Sequence, residues 1–138
     1  MLESKLYDTV KEKATSTKFY RVENKLNLGT PDMHLVNVNC SGWMEAKALT
    51  VTAKRTGLVK IPFRPAQYAW LRSYYRKGGL SVLGIVTDLG FFFAVNESIQ
   101  EDYDRSDFHR ALIGLVSPLR YVTVDTLDDF FLNIKAPS

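Results

Sequence analysis

Two carboxylates and one ammonium group stand at a spacing that could do chemistry. Asp32 follows Pro31, and Glu45-Ala46-Lys47 begins thirteen residues after the aspartate. Glu45 and Lys47 are two positions apart, so on an extended strand their side chains leave the same face. Asp32 opens the preceding extended segment, and a turn between the segments permits the two carboxylates to lie close. Paired carboxylates repel, and each resists ionising beside the other. A divalent cation resolves that conflict, because a hard ion such as Mg²⁺ takes carboxylate oxygens and keeps several waters. Such an ion polarises a phosphate and lowers the pKa of a bound water. A lysine beside it can hold the attacking hydroxide or stabilise charge building on phosphorus. The pattern is a minimal kit for cutting a phosphodiester. A plainer reading makes Asp32 a turn residue and Glu45 and Lys47 an exposed cross-strand pair. Structural context has to decide between the two.

The elements that must position these residues are legible in outline. Leu2, Leu6, Val10 and Ala14 recur every four residues among charged positions, which predicts an amphipathic helix over 2–14. Residues 19–23 alternate as a strand with one wet face. Asn27, Gly29 and Pro31 mark a turn, 32–38 a second strand, Asn39, Ser41 and Gly42 a hairpin turn, and 43–49 a third strand. Residues 50–63 read as a basic loop or ragged hairpin arm. Pro65 suits the first position of a helix running to about Lys77 and stopped by Gly78-Gly79. Leu80 to Val86 is a short, β-branched apolar run, hence a buried strand, and 91–95 another. Residues 98–117 and 127–134 are expected to be helical. The predicted class is α/β: a mixed central sheet flanked by helices, with residues 1–95 as the core and 96–138 as a C-terminal helical extension packed on the same domain.

Charge is distributed unevenly. Residues 1–46 hold six basic and six acidic side chains, 88–138 hold four and nine, and 47–87 hold eight basic ones and no acid. That middle block, Lys47, Lys54, Arg55, Lys60, Arg64, Arg72, Arg76 and Lys77, is a candidate polyanion surface or a solvated basic face. Lys54, Arg55 and Lys60 follow the catalytic strand on a loop that could track a branched backbone. Phosphate contacts there position a nucleic acid without reading its sequence. Arg72, Arg76 and Lys77 are further phosphate candidates. Trp70, Tyr74 and Tyr75, interleaved with them, could stack on splayed bases. For Trp70 we expect the core. Phe91–Phe93 is either half of a dimer face or a buried strand end.

In order along the chain stand Arg21-Val-Glu-Asn24, Gly29-Thr-Pro-Asp32, Gly42-Trp-Met-Glu-Ala-Lys47 and Arg64-Pro-Ala-Gln67. This series resembles the VRR-NUC (virus-type replication-repair nuclease) family of the PD-(D/E)xK nuclease superfamily, in its small stand-alone phage form. The match runs from residue 1 to about 95, and residues 96–138 match no motif of it. The resemblance implies a restriction-endonuclease-like αβββαβ core. It implies Mg²⁺ or Mn²⁺ held by Asp32, Glu45 and the backbone carbonyl of Ala46. It also implies Lys47 as catalytic lysine, Gln67 beside the site, and a first-helix glutamate at the metal. Glu3 fits that last role best by spacing, with Glu12 as competitor. The activity implied is structure-selective cleavage of branched DNA, including Holliday junction resolution by homodimers. A monomeric flap or end-processing nuclease is the alternative within that chemistry. A non-catalytic DNA-binding module on the same fold is the alternative outside it.

Glu23 is either an aid to the metal site or an edge residue. His34, two past Asp32 and on its face, either touches a phosphate or the metal's outer shell or is a satisfied strand histidine. A single cysteine, Cys40, excludes an intramolecular disulfide and fits a reducing compartment. With no apolar signal core or membrane-length run, the expectation is a soluble cytoplasmic protein without a membrane partner, in the host cytoplasm if of phage origin.

Overall fold

The computed structural model describes residues 3–22, 29–52 and 57–137. Helix α1 spans Glu3–Lys13, and its Leu6 and Val10, followed by Ala14, are fully buried as the four-residue spacing predicts. Strands β1 (Lys18–Arg21), β2 (Met33–Val36) and β3 (Ser41–Ala48) form an antiparallel meander. The β2–β3 turn is closed by Asn37, whose side-chain oxygen accepts the N–H groups of Asn39 and Cys40.

A short β4 (Leu58–Lys60) precedes helix α2 (Gln67–Arg76), which leads into β5 (Leu80–Thr87). β5 lies parallel to β3, and the long connection through β4 and α2 permits that pairing. Every β5 residue is buried, as its continuous apolar run predicts. β6 (Gly90–Val95) returns antiparallel, with Phe92 and Phe93 fully buried in the sheet interior and Phe91 half-buried against the α1-side core.

The segment after β6 departs from the helix expected over 98–117. A 3₁₀ turn (Asn96–Ser98) is followed by β7 (Asp102–Asp104), and helix α3 occupies only Arg105–Leu112. β7 pairs with β4, so its backbone is committed to a ladder before a helix can start. Asp104 then caps α3, its carboxylate accepting the Ser106 N–H at 2.9 Å while Asp107 accepts the Asp104 N–H at 3.0 Å. β8 (Arg120–Val122) joins the main sheet beside β6, and α4 (Leu127–Asn133) is the C-terminal helix expected from the sequence.

The result is a mixed α/β architecture around a six-stranded sheet of order β1-β2-β3-β5-β6-β8. Alternation gives each sheet face its own core. Met33, Leu35, Met44, Val82 and Phe93 pack against α1 and α4. Leu83, Ile85 and Phe92 pack against α2 and α3 through Leu71 and Phe108. The C-terminal residues are integral to the first core, where Phe131 meets Phe19 edge-on at 5.0 Å. Among the described residues no helix is long and apolar enough to cross a membrane.

Candidate active site

β3 carries the site. Met44 and Ala46 point to the α1 face, so Trp43, Glu45 and Lys47 leave the sheet on the α2 side. The β2–β3 register pairs Met33 with Met44 and His34 with Trp43. One further step puts Asp32 opposite Glu45, where directly opposed Cβ atoms lie about 5 Å apart. The Asp32 carboxylate accepts the Ala46 N–H at 3.5 Å, the outer limit of a hydrogen bond. The three residues singled out by spacing are therefore together on one face.

Asp32 is half-buried, and the side chains beside it are buried. Glu45 is 1% exposed, Lys47 4% and Gln67 3%. A carboxylate so buried requires charged or hydrogen-bonding neighbours. Lys47 Nζ lies 3.4 Å from Glu45 Oε2, and Gln67 Nε2 donates to the same oxygen at 3.1 Å. The other end of the Gln67 amide accepts the Arg64 N–H at 2.7 Å, which orients the group so that its NH₂ faces Glu45. An exposed cross-strand pair is thereby excluded for Glu45 and Lys47.

The turn that aims Gln67 explains a departure from expectation. Pro65 does not occupy the first helical position. α2 begins at Gln67, and Ala66 before it takes a left-handed conformation at φ 74°. The Gln67 N–H closes the turn on the Arg64 carbonyl at 3.1 Å. Gly29 is buried against this turn, and a Cβ there would come within 2.4 Å of the Ala66 carbonyl oxygen. The Gly-x-Pro-Asp and Arg-Pro-x-Gln segments thus fix each other, one delivering Asp32 and the other Gln67. Gly42 does the same at the start of β3, where a Cβ would meet the Leu80 carbonyl oxygen at 2.4 Å.

Asp32 and Glu45 carboxylates with the Ala46 carbonyl are hard oxygen donors, of the type suited to Mg²⁺ or Mn²⁺ with water completing the shell. Among the described residues no group of three or more His, Cys, Asp or Glu is gathered as a metal cluster. Glu3 does not join the two carboxylates in such a group: it lies in the first turn of α1, and that helix packs on the opposite sheet face. Glu12 is exposed and faces Lys13 at 3.8 Å. His34 stands edge-on to Trp43 at 5.0 Å and 6.4 Å from the Tyr20 ring, on the sheet face that carries Asp32.

Lys60, Arg64, Arg72, Arg76 and Lys77 are exposed on one flank of α2. They line two adjoining depressions of about 480 and 450 Å³, which meet at Tyr68, Ala69 and Glu101. Trp70 is half-buried against the α2-side core, as expected. Lys54, Arg55 and Glu23 lie outside the described residues.

Two contributors escaped sequence reasoning. Asn37 ties the β2–β3 turn to the C-terminal helix, donating to Thr17 Oγ1 at 2.9 Å and the Phe131 carbonyl at 3.0 Å. Asp88, in the β5–β6 turn, accepts the Val51 N–H at 2.7 Å and the Thr52 hydroxyl, holding the chain where it leaves β3. The Thr52 hydroxyl and these backbone donors hold the Asp88 carboxyl below its ordinary pKa. No protein-family model matches the chain, and no curated protein matches it.

Proposed function

We propose that this protein is a Mg²⁺- or Mn²⁺-dependent DNA endonuclease of the VRR-NUC type, built on a restriction-endonuclease-like αβββαβ core. The observation that carries the reading is the buried Glu45–Lys47 pair, braced by Gln67, on the sheet face that also bears Asp32. A structural role gives a sheet little reason to bury a carboxylate and an ammonium here, since apolar residues of similar volume serve stability as well. Asp32, Glu45 and the Ala46 carbonyl would hold the cation, which when bound polarises the scissile phosphate and acidifies a water. Lys47 would stabilise negative charge on the phosphate. Gln67 keeps the Glu45 carboxylate aimed, and the cations along α2 hold the backbone of the substrate in register.

The substrate class is branched DNA, with Holliday junction resolution by a homodimer as the leading form. Two symmetric cuts need two sites, and a C₂ dimer supplies the second. Support for a dimer is the exposed apolar run Ile113, Leu115 and Val116, of which Val116 is 87% exposed, beside the sheet edge at β8. The catalytic reading is tested by calorimetric titration with Mg²⁺ and Mn²⁺. Binding at millimolar metal that disappears in Asp32→Ala is expected. No binding by the wild type would leave a non-catalytic DNA-binding module. Sedimentation with a panel of junctions, forks and flaps separates the dimeric resolvase from a monomeric flap nuclease.

A further inference from the structure

We infer that the sheet face beside the carboxylates is a docking strip for an unpaired DNA strand. Bases stack on Tyr20, His34 and Trp43, the backbone meets Lys18 on that face, and where the strand rounds the β1 edge it reaches Lys11 and Arg21 on the α1 side. The inference deepens the nuclease reading above and takes its substrate class from it.

Strand alternation builds the strip. Phe19 points into the α1-side core, so Lys18 and Tyr20 leave β1 on the face that carries Trp43 and Glu45. Register places Tyr20 opposite His34 and His34 opposite Trp43. The three rings form a continuous row, with centroids 6.4 and 5.0 Å apart. Trp70, 5.8 Å from Trp43, and Tyr74, 5.1 Å from Trp70, extend it along α2. The row runs one pleat step from the carboxylates, about 7 Å along each strand. Its outer end is open: Tyr20 is 51% exposed, on the edge strand of the sheet.

At that end a depression of about 610 Å³ wraps the β1 edge toward α1, lined by Lys11, Lys18, Arg21 and the hydroxyl residues Thr15 and Thr17, and among the described residues by no carboxylate. Lys11 and Arg21 both lie against the Tyr7 ring, at 5.6 and 5.4 Å. Two cations sharing one aromatic ring repel each other, and a phosphate between them relieves that repulsion. Cations tracking a backbone beside rings that accept bases are the requirements of a single-stranded site. A duplex keeps its bases stacked on one another and cannot use the rings. Junction crossovers and flaps both offer such bases.

The chain's two tryptophans, Trp43 and Trp70, both stand in this row, so intrinsic fluorescence reports on it directly. The test titrates metal-free protein with oligothymidylate and, separately, with a blunt duplex. Oligothymidylate is expected to quench the emission and the duplex to leave it nearly unchanged. Tyr20→Ala should weaken the oligonucleotide roughly 5- to 100-fold, the loss of one base–aromatic stack, while Tyr20→Phe retains it. Equal quenching by both DNAs, or wild-type affinity in Tyr20→Ala, overturns the inference. So does a dimer that dissociates in Tyr20→Ala with oligonucleotide affinity intact, since a second copy would then cover the strip. Because no metal is present, the result is independent of cleavage. Stacking without junction cutting keeps the strip and removes the nuclease, and cutting without stacking does the reverse.

Discussion

Glu45 is a buried carboxylate whose behaviour is decided by what faces it. Lys47 supplies the opposite charge and Gln67 a directed donor, both on Oε2. Removing Gln67 removes that donor and also the acceptor that fixes the Arg64 N–H. Gln67→Ala should therefore lower cleavage about 10- to 100-fold, the usual effect of losing a group that orients a metal ligand. The readout is the single-turnover rate against metal concentration. Recovery at high metal is expected, and a wild-type rate at all metal concentrations would remove Gln67 from the site. Lys47→Ala should keep metal binding and lose most of the cutting. Glu45 and Lys47 were legible because a two-residue step on a strand fixes a shared face whatever the rest of the fold does, and Asp32 because a hairpin could bring it alongside. Gln67 came only from the resemblance of its Arg-Pro-x-Gln segment. The aromatic row was not legible, since it depends on register across three strands. Nor could the periodicity of α1 say which sheet face the helix covers, and that is what separates Glu3 from the two carboxylates.

At the scale of elements, the site is held by close backbone contacts between turns. Gly29→Ala would press a methyl into the Ala66 carbonyl, and neither backbone can yield cheaply. The expected cost is about 1–3 kcal/mol of stability, read as a lower denaturant midpoint, together with a displaced Gln67 and reduced cleavage. An unchanged midpoint would mean that the two turns do not brace each other. The turn at Asp88 makes a pH prediction. Its carboxyl is held below the ordinary value in the folded chain, so its stabilising contribution is complete above the unfolded pKa of about 4 and lost as pH falls through the lower folded value. Thermal stability should drop on acidification below about pH 4, with a shallower drop in Asp88→Asn. A parallel pair of curves would contradict this. Most elements followed from periodicity and turn residues. The helix expected over 98–117 failed because β7 is held extended by its pairing with β4, a long-range contact that local propensity does not register.

At the scale of the whole molecule, net charge is a modest +3 and the layout carries the meaning. Five cations line one flank of α2, and three more gather at the β1 edge. Junction affinity should fall steeply with salt as counterions are released, and charge reversal at Arg72 and Arg76 should flatten the slope. A salt-independent affinity would deny that these surfaces meet phosphate. The basic block was visible in the sequence, but its gathering on one side of a helix, with Glu101 among it, was not. The most direct test of the central claim is a gel assay of the purified protein on a mobile four-way junction. With Mg²⁺ or Mn²⁺ the wild type should cut the junction, while Asp32→Ala and Glu45→Ala should bind it and leave it whole. Cutting by either variant at the wild-type rate would contradict the account.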